Sequence, residues 1–399
     1  MNQPHLADKY HCTGCMACAD SCAQHAITCI INDEGHYAYK VDGAKCVLCH
    51  RCEKVCPPVC NMDYGSNDLN KSQPFAVWTK NETLRRNATS GGVFPAMAKA
   101  VLEAGGVVYG AIQERFYVHH EGIENVCDII KLQGSKYTQS KTEGIFIKVK
   151  DSLNSGKIVL FSGLGCQVAA LLSYLKGNKF INNLITIDLI CGGVPSSFLI
   201  KKYKDEHGEI DSIVSYRTKE RYELTIKNKK GETKAVPSTE RALPLYGFTS
   251  GATKRYICYD CPFAKGHRSS DLTIGDYWGN SLFPEQKKDG VSIVIIHSEK
   301  GRKWLERSDL EAHKVAWRDF VFNNSRMIYG YAPIPSSRKK LSKVFSSYNY
   351  KTILEQFANM GSWKRPWTMV SRVMRVLEGK YIEKKRKLIV KKILRNNGL

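Results

Sequence analysis

Two runs of four cysteines near the N-terminus constrain this chain more than any other feature. Both runs have the spacing C-x2-C-x2-C-x3-C, and they comprise Cys12, Cys15, Cys18 and Cys22, then Cys46, Cys49, Cys52 and Cys56. Three cysteines on a tight loop reach three irons of one cubane cluster, while the fourth, leaving on a short helix, points at a neighbouring cluster. The spacing therefore predicts two [4Fe-4S] centres, one held by Cys12, Cys15, Cys18 and Cys56 and the other by Cys46, Cys49, Cys52 and Cys22.

This is the spacing of two-cluster bacterial ferredoxins, except that Ala23 stands where a proline is usual after the fourth cysteine. Zinc fits less well because its structural sites use two pairs of ligands per ion. Disulfides need an exported chain, and the first residues, MNQPHLADKYH, contain no apolar segment that could serve as a signal peptide. Fifteen cysteines without an export signal predict a cytoplasmic protein.

Length and charge set the remaining outline. The chain of 399 residues is long enough for two or three domains. It has no run of about eighteen uninterrupted apolar residues, so we expect no transmembrane helix. The formal net charge is +22, and the segment 362–399 supplies +10 of it, with twelve Lys and Arg against two Glu. The basic character is therefore concentrated near the C-terminus.

Apolar strands followed by helices appear beyond the cysteine-rich region. Lys157–Ser162 and Leu184–Cys191 read as such strands, and this alternation is typical of a parallel sheet. Between Tyr216 and Pro244 an alternating pattern indicates an antiparallel excursion. We predict an α/β (α+β) fold, with a small ferredoxin-like domain followed by an α/β core with a mostly parallel sheet and a basic helical C-terminal tail.

Four further cysteines are expected to meet in this core. Cys166 and Cys191 lie at the carboxyl ends of successive strands, which in a parallel sheet share one edge. Cys258 and Cys261 form a C-x2-C pair that can supply two more thiols. A third [4Fe-4S] centre and a structural zinc ion both use four such ligands, and the spacing alone favours neither.

Two loops are suited to a polar ligand. Ser90-Gly91-Gly92 opens a helix and offers backbone N–H groups without side-chain bulk, which suits a phosphate, although an ordinary capped helix explains it equally well. The cap expected for that helix is Thr89 or Ser90. The segment Lys131–Ser140, KLQGSKYTQS, combines a glycine turn with hydroxyls, a cation and a phenol.

Five motifs occur in order along the core: ATSGGV from Ala88, GSKYTQS from Gly134, VLFSGLGCQVAAL from Val159, DLICGGVPS from Asp188 and CYDCPFAKGHRSSDLTIGDYWG from Cys258. In these motifs, over roughly residues 74–345, the sequence resembles the coenzyme F420 hydrogenase/dehydrogenase beta-subunit family. The resemblance implies an iron-sulfur flavoprotein that binds FAD. It implies a third [4Fe-4S] centre held by Cys166, Cys191, Cys258 and Cys261, and FAD contacts from Ser90, Gly91, Gly92, Gly134, Ser135, Lys136 and Tyr137.

The resemblance also suggests roles in catalysis. Lys136 and Tyr137 are expected to stabilise charge on the reduced flavin or on substrate, and Asp276 to orient the flavin or a proton path; a salt-bridged loop lysine and a turn-forming aspartate are the alternatives. Two positions depart from the family: Gly165 replaces a usual proline, and Gly192 replaces a usual histidine. The second departure removes a candidate proton donor, so we expect the substrate to differ from that of close relatives.

We predict three regions, which we call the head (residues 1–66), the core (residues 74–345) and the tail (residues 346–399). Apolar stripes in the tail, formed by Met369, Val373, Val376 and Leu377 and by Leu388, Ile389, Ile393 and Leu394, alternate with basic residues. Such a helix suits an anionic membrane surface on the inner face of the membrane, and a solvated helix or one docked on a partner fits equally well. No nucleic-acid motif accompanies the charge.

Three functions of different class remain open. The first is an FAD- and iron-sulfur-dependent oxidoreductase acting on a small-molecule substrate, such as a coenzyme F420-like hydride carrier or a cell-envelope precursor, with reduced ferredoxin or a similar carrier as electron partner. The second is an electron-transfer subunit that serves a partner dehydrogenase or a quinone. The third is a non-enzymatic redox sensor. FAD is the natural converter between two-electron substrates and one-electron clusters.

Overall fold

Three β-sheets and a set of mostly short helices form the described part of the chain. This computed structural model describes residues 3–60, 62–237, 243–278, 280–330, 334–335, 338, 352–353, 384 and 387–399. The strands are β1 (Ile27–Ile31), β2 (Tyr37–Val41), β3 (Gln73–Thr79), β4 (Val107–Glu114), β5 (Tyr117–Ile123), β6 (Val159–Leu164), β7 (Leu184–Leu189), β8 (Ile210–Arg217), β9 (Tyr222–Asn228), β10 (Thr233–Pro237), β11 (Leu272–Asp276), β12 (Ser292–Ile296) and β13 (Leu310–Lys314).

The α-helices of the described residues are α1 (Ala17–Asp20), α2 (Arg51–Val55), α3 (Glu82–Asn87), α4 (Val93–Glu103), α5 (Ile129–Leu132), α6 (Ile145–Asn154), α7 (Gly165–Tyr174), α8 (Phe198–Glu206), α9 (Leu243–Ser250), α10 (Glu299–Arg307), α11 (Trp317–Phe320) and α12 (Arg326–Tyr329). Residues 387–396 form a further helix, α13. None of the described helices is both long enough and apolar enough to cross a bilayer.

The core is built on an eight-stranded sheet with the order β13-β3-β12-β11-β7-β6-β4-β5. Its four central strands, β11, β7, β6 and β4, are mutually parallel, as the apolar strand and helix pattern predicts. Antiparallel strands extend the sheet on both sides, with β12, β3 and β13 on one and β5 on the other. The predicted α/β core is confirmed, and β8, β9 and β10 form the expected antiparallel excursion.

Helices cover both faces of this sheet because its strands are apolar on both sides. On β7, Ile185 and Ile187 pack with α4, α5 and α10, whereas Leu184 packs on the opposite face with α6 and α7. Each such buried aliphatic side chain contributes about 1.5–3 kcal/mol relative to an exposed one. Two polar residues, Thr186 and Asp188, share the face of Leu184 by strand alternation, and both are buried.

The head repeats one backbone pattern in its two cysteine runs. Gly14 (φ 68°) and Leu48 (φ 54°) occupy equivalent positions in the two loops, as do Met16 (φ 59°) and His50 (φ 58°), and all four are left-handed. Left-handed non-glycine residues are costly and concentrate at ligand sites. The short helices α1 and α2 follow the two loops, as the spacing predicts.

The head is packed against the core through buried polar contacts. Asp20 accepts hydrogen bonds from the N–H groups of Gly144 (2.7 Å) and Phe146 (3.1 Å) and thereby caps α6. Thr142 donates to the carbonyl oxygen of Cys15 at 2.8 Å. A second attachment is the buried ion pair between Arg338 and Glu34, which measures 2.6 Å.

Part of the tail packs on the core. Val390 and Leu394 of α13 are buried in a cluster with Leu69, and the Leu69 N–H donates to Asn397 Oδ1 at 3.0 Å. The predicted second stripe is thus divided, because Leu394 is buried while Leu388 and Ile389 are 58% and 44% exposed. The first stripe, Met369, Val373, Val376 and Leu377, lies outside the described residues.

Candidate functional site

The four core cysteines are brought together at the carboxyl edge of the central strands. Cys166 is in the first turn of α7, Cys191 follows β7, and Cys258 and Cys261 lie in short turns before β11. Burial raises the pKa of the Cys166 thiol well above its usual value, and the neighbouring thiols of Cys261, Cys191, Cys258 and Cys15 raise it further. We call these four the core cysteine site, and it lies beside a cysteine of the head.

The head cysteines are grouped as the spacing predicts for the first set. Burial raises the pKa of Cys18 well above its usual value, and Cys15, Cys12 and Cys56 raise it further. We call Cys12, Cys15, Cys18 and Cys56 the proximal site, because it contains the residue nearest the core cysteines. Cys56 has its pKa raised to about 12 by burial and by Cys15 and Cys12.

The remaining head cysteines, Cys46, Cys49, Cys52 and Cys22, form the distal site. Burial raises the pKa of Cys52 to about 11, and Cys49 acts on it as a nearby charge. Cys52 and Cys22 pack in one cluster together with Cys18 and Cys56 of the proximal site, so the assignment of Cys22 to the distal site rests on the spacing. Cys49 is exposed, and Val47 beside it is 63% exposed. Exposure thus decreases from the distal site to the proximal site.

Backbone N–H groups point at three of these sulfurs. Gly14 donates to Cys12 Sγ at 3.4 Å, Ala26 to Cys22 Sγ at 3.3 Å and Gly193 to Cys191 Sγ at 3.3 Å. Hydrogen bonds of this kind tune the reduction potential of a bound cluster. At least one such donor is present at each of the three sites.

Cations surround the core cysteine site, and the sequence analysis missed them. Arg255 and Arg326 act to lower the pKa of Cys258, against the larger raising effects of burial and Cys191. The pKa of Lys254 is lowered to about 8 by burial and by Arg326, while Cys258 and Cys191 oppose that shift. The basic residues that flank the C-x2-C pair were a readable signal for this environment.

Arg255 is distinctive because no carboxylate is among its hydrogen-bond partners in the described residues. It donates to the carbonyl oxygens of Cys12 (3.0 Å) and Tyr37 (2.6 Å) and to Gln139 Oε1 (2.8 Å). Three other buried arginines each pair with a carboxylate, namely Arg217, Arg268 and Arg338. A buried cation without such a partner needs negative charge nearby.

The spacing of the side chains also bears on whether a single metal ion could be bound here. Within the part of the chain that the structure describes, no three His, Cys, Asp or Glu side chains are close enough to hold one metal ion. A single zinc ion draws its sulfur ligands to about 2.3 Å from one point. The thiols converge here without that tight arrangement.

A cavity of about 480 Å³ opens next to the core cysteine site and includes Cys191 in its lining. Most of the residues predicted to contact FAD line it: Ser90, Gly92, Gly134, Ser135, Lys136 and Tyr137. Gly91 is turned into the sheet instead, because its N–H donates to Ser292 Oγ at 3.0 Å and an added Cβ would lie 2.4 Å from the Val77 carbonyl oxygen. The helix cap is Gly92 (φ 78°) rather than Thr89 or Ser90.

The three candidate catalytic residues are all in the cavity wall, and each already has a polar partner, since the Tyr137 hydroxyl accepts from Arg217 at 3.5 Å. Lys136 Nζ donates to the carbonyl oxygens of Leu132 (3.0 Å) and Gln133 (2.8 Å), and burial lowers its pKa to about 8. Asp276 pairs with Arg217 at 2.5 Å. Their assignment as catalytic residues stays a prediction.

An aromatic group in the cavity wall was not anticipated. Tyr137 stacks on Phe248 with ring centroids 4.2 Å apart and meets Tyr222 edge-on at 5.5 Å. Arg217 lies over the Trp278 ring, 5.2 Å from its centroid. These residues come from separate segments, so no local pattern in the sequence announces them.

Residues 156–317 match the sequence model of a family described as the C terminus of the beta subunit of coenzyme F420 hydrogenase/dehydrogenase. All four core cysteines lie inside this range, whereas the loops at 88–93 and 134–140 lie outside it. Among solved structures, the F420-reducing [NiFe] hydrogenase complex from Methanosarcina barkeri, as a xenon derivative, is similar at 16% identity over 71% of this chain and 91% of that chain, with a TM-score of 0.44. No curated protein sequence matches the chain.

Proposed function

We propose that this chain, whose residues 156–317 match the model of the C terminus of the coenzyme F420 hydrogenase/dehydrogenase beta subunit, belongs to that family and is an iron-sulfur flavoprotein that moves electrons between three [4Fe-4S] centres and FAD. The observation that carries the proposal is the convergence of four core thiols, all partly or fully buried, between Cys15 of the head and the cavity. The family supports iron-sulfur electron transfer. The flavin and the substrate are our inference.

The thiols of the core cysteine site are suited to hold a [4Fe-4S] centre. Burial and mutual repulsion raise the pKa of Cys166, Cys258 and Cys261, that of Cys261 to about 12, so that positive charge from bound iron is needed to hold them as thiolates. Each [4Fe-4S] centre with four thiolates carries roughly −2. That charge would balance Lys254, Arg326 and the otherwise unpaired Arg255.

The order of exposure suggests a direction of entry. The distal site, with Cys49 and Val47 at the surface, is suited to receive electrons from a soluble carrier such as reduced ferredoxin. The proximal and core cysteine sites follow it inward, and Cys191 borders the cavity. FAD, when bound, would exchange single electrons with clusters and electron pairs with a substrate.

The residues of the cavity have defined tasks in this proposal. The loops at Ser90 and Gly134 bind the polar part of the cofactor with hydroxyl and backbone groups. The stacked rings of Tyr137 and Phe248 exclude water from a flat ligand. Asp276 of the wall is held in place by its ion pair with Arg217 behind it.

Joint quantification of iron, sulfide, zinc and flavin after anaerobic purification tests the proposal. We expect about twelve iron atoms, four for each of three [4Fe-4S] centres, and one FAD per chain. Cys166→Ser should remove about four of the iron atoms. The matched control Cys127→Ser, at an exposed cysteine, should leave the iron content unchanged. Iron for only two centres, together with bound zinc and no flavin, would overturn the core assignment.

Turnover separates an enzyme from an electron-transfer subunit. An oxidoreductase should reduce or oxidise a small-molecule acceptor with an artificial one-electron donor and no partner protein. A subunit that serves a dehydrogenase or quinone should reduce its flavin but show no turnover with a screened set of hydride carriers and cell-envelope precursors. A redox sensor would carry no flavin at all.

One observation supports a membrane role for the tail as a further proposal. Leu388 and Ile389 are exposed on α13 among Lys387, Lys391 and Lys392, and basic residues near an anionic surface contribute about 1 kcal/mol each. Cosedimentation of the full chain with phosphatidylserine vesicles, but not with neutral vesicles, is the expected result. Equal recovery with both would exclude this contact.

A further inference from the structure

A chain of hydroxyl and imidazole groups crosses the interior of the core. Ser72 Oγ lies 2.8 Å from His267 Nδ1 and 2.7 Å from His297 Nδ1. On its other side, His297 Nε2 lies 2.8 Å from Thr273 Oγ1, which donates to Asp188 Oδ1 at 2.5 Å. Four consecutive hydrogen bonds therefore connect His267 with Asp188.

The inner end of this chain lies beside the core cysteine site. Asp188 is 1% exposed and pairs with Arg268 at 3.2 Å. A Cβ added to Gly165 would be 3.2 Å from Asp188 Oδ2, so the carboxylate lies against the first turn of α7, in which Cys166 is the second residue. The absence of a side chain at Gly165 is what permits this approach.

The outer end reaches the surface. His267 and His297 are only partly buried, whereas Ser72 and Thr273 are buried. The charged groups that face the chain are Asp63, Asp68 and Lys71 at His267, and Arg268 at His297 and Asp188. Solvent can therefore exchange protons with His267, the more open of the two histidines, but not with the carboxylate directly.

The chemistry of the groups fixes the direction of every bond. An ionised carboxylate only accepts, so the Thr273 hydroxyl donates to Asp188 and accepts from the N–H at Nε2 of His297. A neutral His297 then accepts at Nδ1 from the Ser72 hydroxyl, which accepts in turn from His267 Nδ1. Burial, together with the charges of Arg268 and His267, lowers the pKa of His297 well below its usual value, which keeps it neutral.

We propose that His267, Ser72, His297 and Thr273 form a proton relay that delivers one solvent proton to Asp188 when one electron enters the core cysteine site. Each group donates its hydrogen-bonding proton to the next group toward Asp188 and accepts a proton from the group nearer the solvent. After one transfer, every hydrogen bond of the chain therefore points in the opposite direction. The electron comes from a low-potential one-electron donor, and the proton comes from water at His267. The inference rests on the proposed core cluster.

The added negative charge at the core cysteine site explains why electron transfer and proton transfer are linked. An added electron makes the core cysteine site more negative, and a proton on Asp188 compensates it by leaving the positive charge of Arg268 unpaired. Burial raises the pKa of Asp188 even though Arg268 opposes the shift, so this carboxylate is suited to hold a proton. A purely structural network would not respond to reduction.

The test begins with anaerobically loaded full-length protein in which iron content and electron paramagnetic resonance identify the core cluster. If that cluster is absent, the proposed function fails and the relay has no electron acceptor. If it is present, its midpoint potential should fall by about 59 mV for each tenfold drop in proton concentration over part of the pH range. Asp188→Asn should make the potential independent of pH. A pH-independent potential in the wild type would overturn the relay alone.

Infrared difference spectra between oxidised and reduced protein give a second readout. We expect a protonated carboxyl band on reduction, which Asp188→Asn removes. Flash photoreduction with a pH-indicator dye then measures proton uptake, which Thr273→Val should slow by at least about tenfold, a low value for a positioned transfer group. Ser72→Ala should act similarly.

The control is Thr79→Val, because Thr79 is also a buried strand threonine (1% exposed) and donates only to a backbone carbonyl, that of Asp309. Unchanged uptake in Thr79→Val is expected. Equal uptake rates in wild type, Thr273→Val and Ser72→Ala would show that the hydroxyls hold the fold together and carry no proton.

Discussion

Replacement of Arg255 should loosen the head from the core. Its guanidinium, 2% exposed, holds two carbonyl oxygens and one amide oxygen contributed by Cys12, Tyr37 and Gln139. Arg255→Ala leaves these three acceptors without that donor, at about 1–3 kcal/mol for each buried acceptor. The substitution also removes the free-energy cost of burying the guanidinium charge, and this offsets the loss by several kcal/mol. The net loss is on the order of 3 kcal/mol, or about two orders of magnitude in the equilibrium for opening.

Hydrogen exchange on the cluster-loaded protein measures this opening. Amides of the head that are protected by the core should exchange about 100-fold faster in Arg255→Ala, as that free energy requires. Gly14→Ala should act in the same direction, because the new Cβ would lie 2.5 Å from Arg255 Nη2 and from the Tyr37 carbonyl oxygen. Arg302→Ala is the matched control, since Arg302 bonds the Gln73 side chain at an exposed position. Equal exchange in Arg255→Ala and Arg302→Ala would refute the reasoning.

Three other outcomes follow from the site and the tail. Flavin affinity should weaken as the pH rises through about 8, the lowered pKa of Lys136, and calorimetric titration of Lys136→Met should show no such step. The lowered pKa also means that the unfolded chain binds more protons between about pH 8 and 10.5; denaturant titrations should therefore show stability rising over that range in the wild type relative to Lys136→Met. Leu394→Ala should lower the free energy of unfolding by about 2–5 kcal/mol. Leu388→Ala, at an exposed position, should change it by no more than about 0.5 kcal/mol. Equal losses in the two variants would contradict the docking of α13.

The cysteine-rich head was the most predictable part because spacing along the chain decides which sulfurs can meet. Cys56 lies near Cys12, Cys15 and Cys18, as the pattern of a crossed fourth ligand requires. The central parallel strands were equally readable, since apolar runs such as Leu184–Leu189 must be covered on both faces. These are local signals with few alternative solutions.

The rest depended on contacts between distant segments. Arg217 and Asp276 are 59 residues apart, and Tyr137, Tyr222 and Phe248 meet only because a loop, the start of β9 and α9 border the same cavity. The start of α4 was misplaced because the hydroxyl of Ser90 donates to the Val291 carbonyl and is not available as a cap. The periodicity of the sequence does not predict such tertiary contacts.

The buried pair of Glu34 and Arg338 has a consequence for biosynthesis. The two residues are 304 positions apart, and at about 5–20 residues per second the ribosome adds Arg338 roughly 15–60 s after Glu34. During that interval the nascent head has its cysteines but not its final partner. Iron and sulfide therefore have this interval in which to reach the head cysteines before the Glu34–Arg338 pair can form, and a cell that translates this message faster shortens that interval.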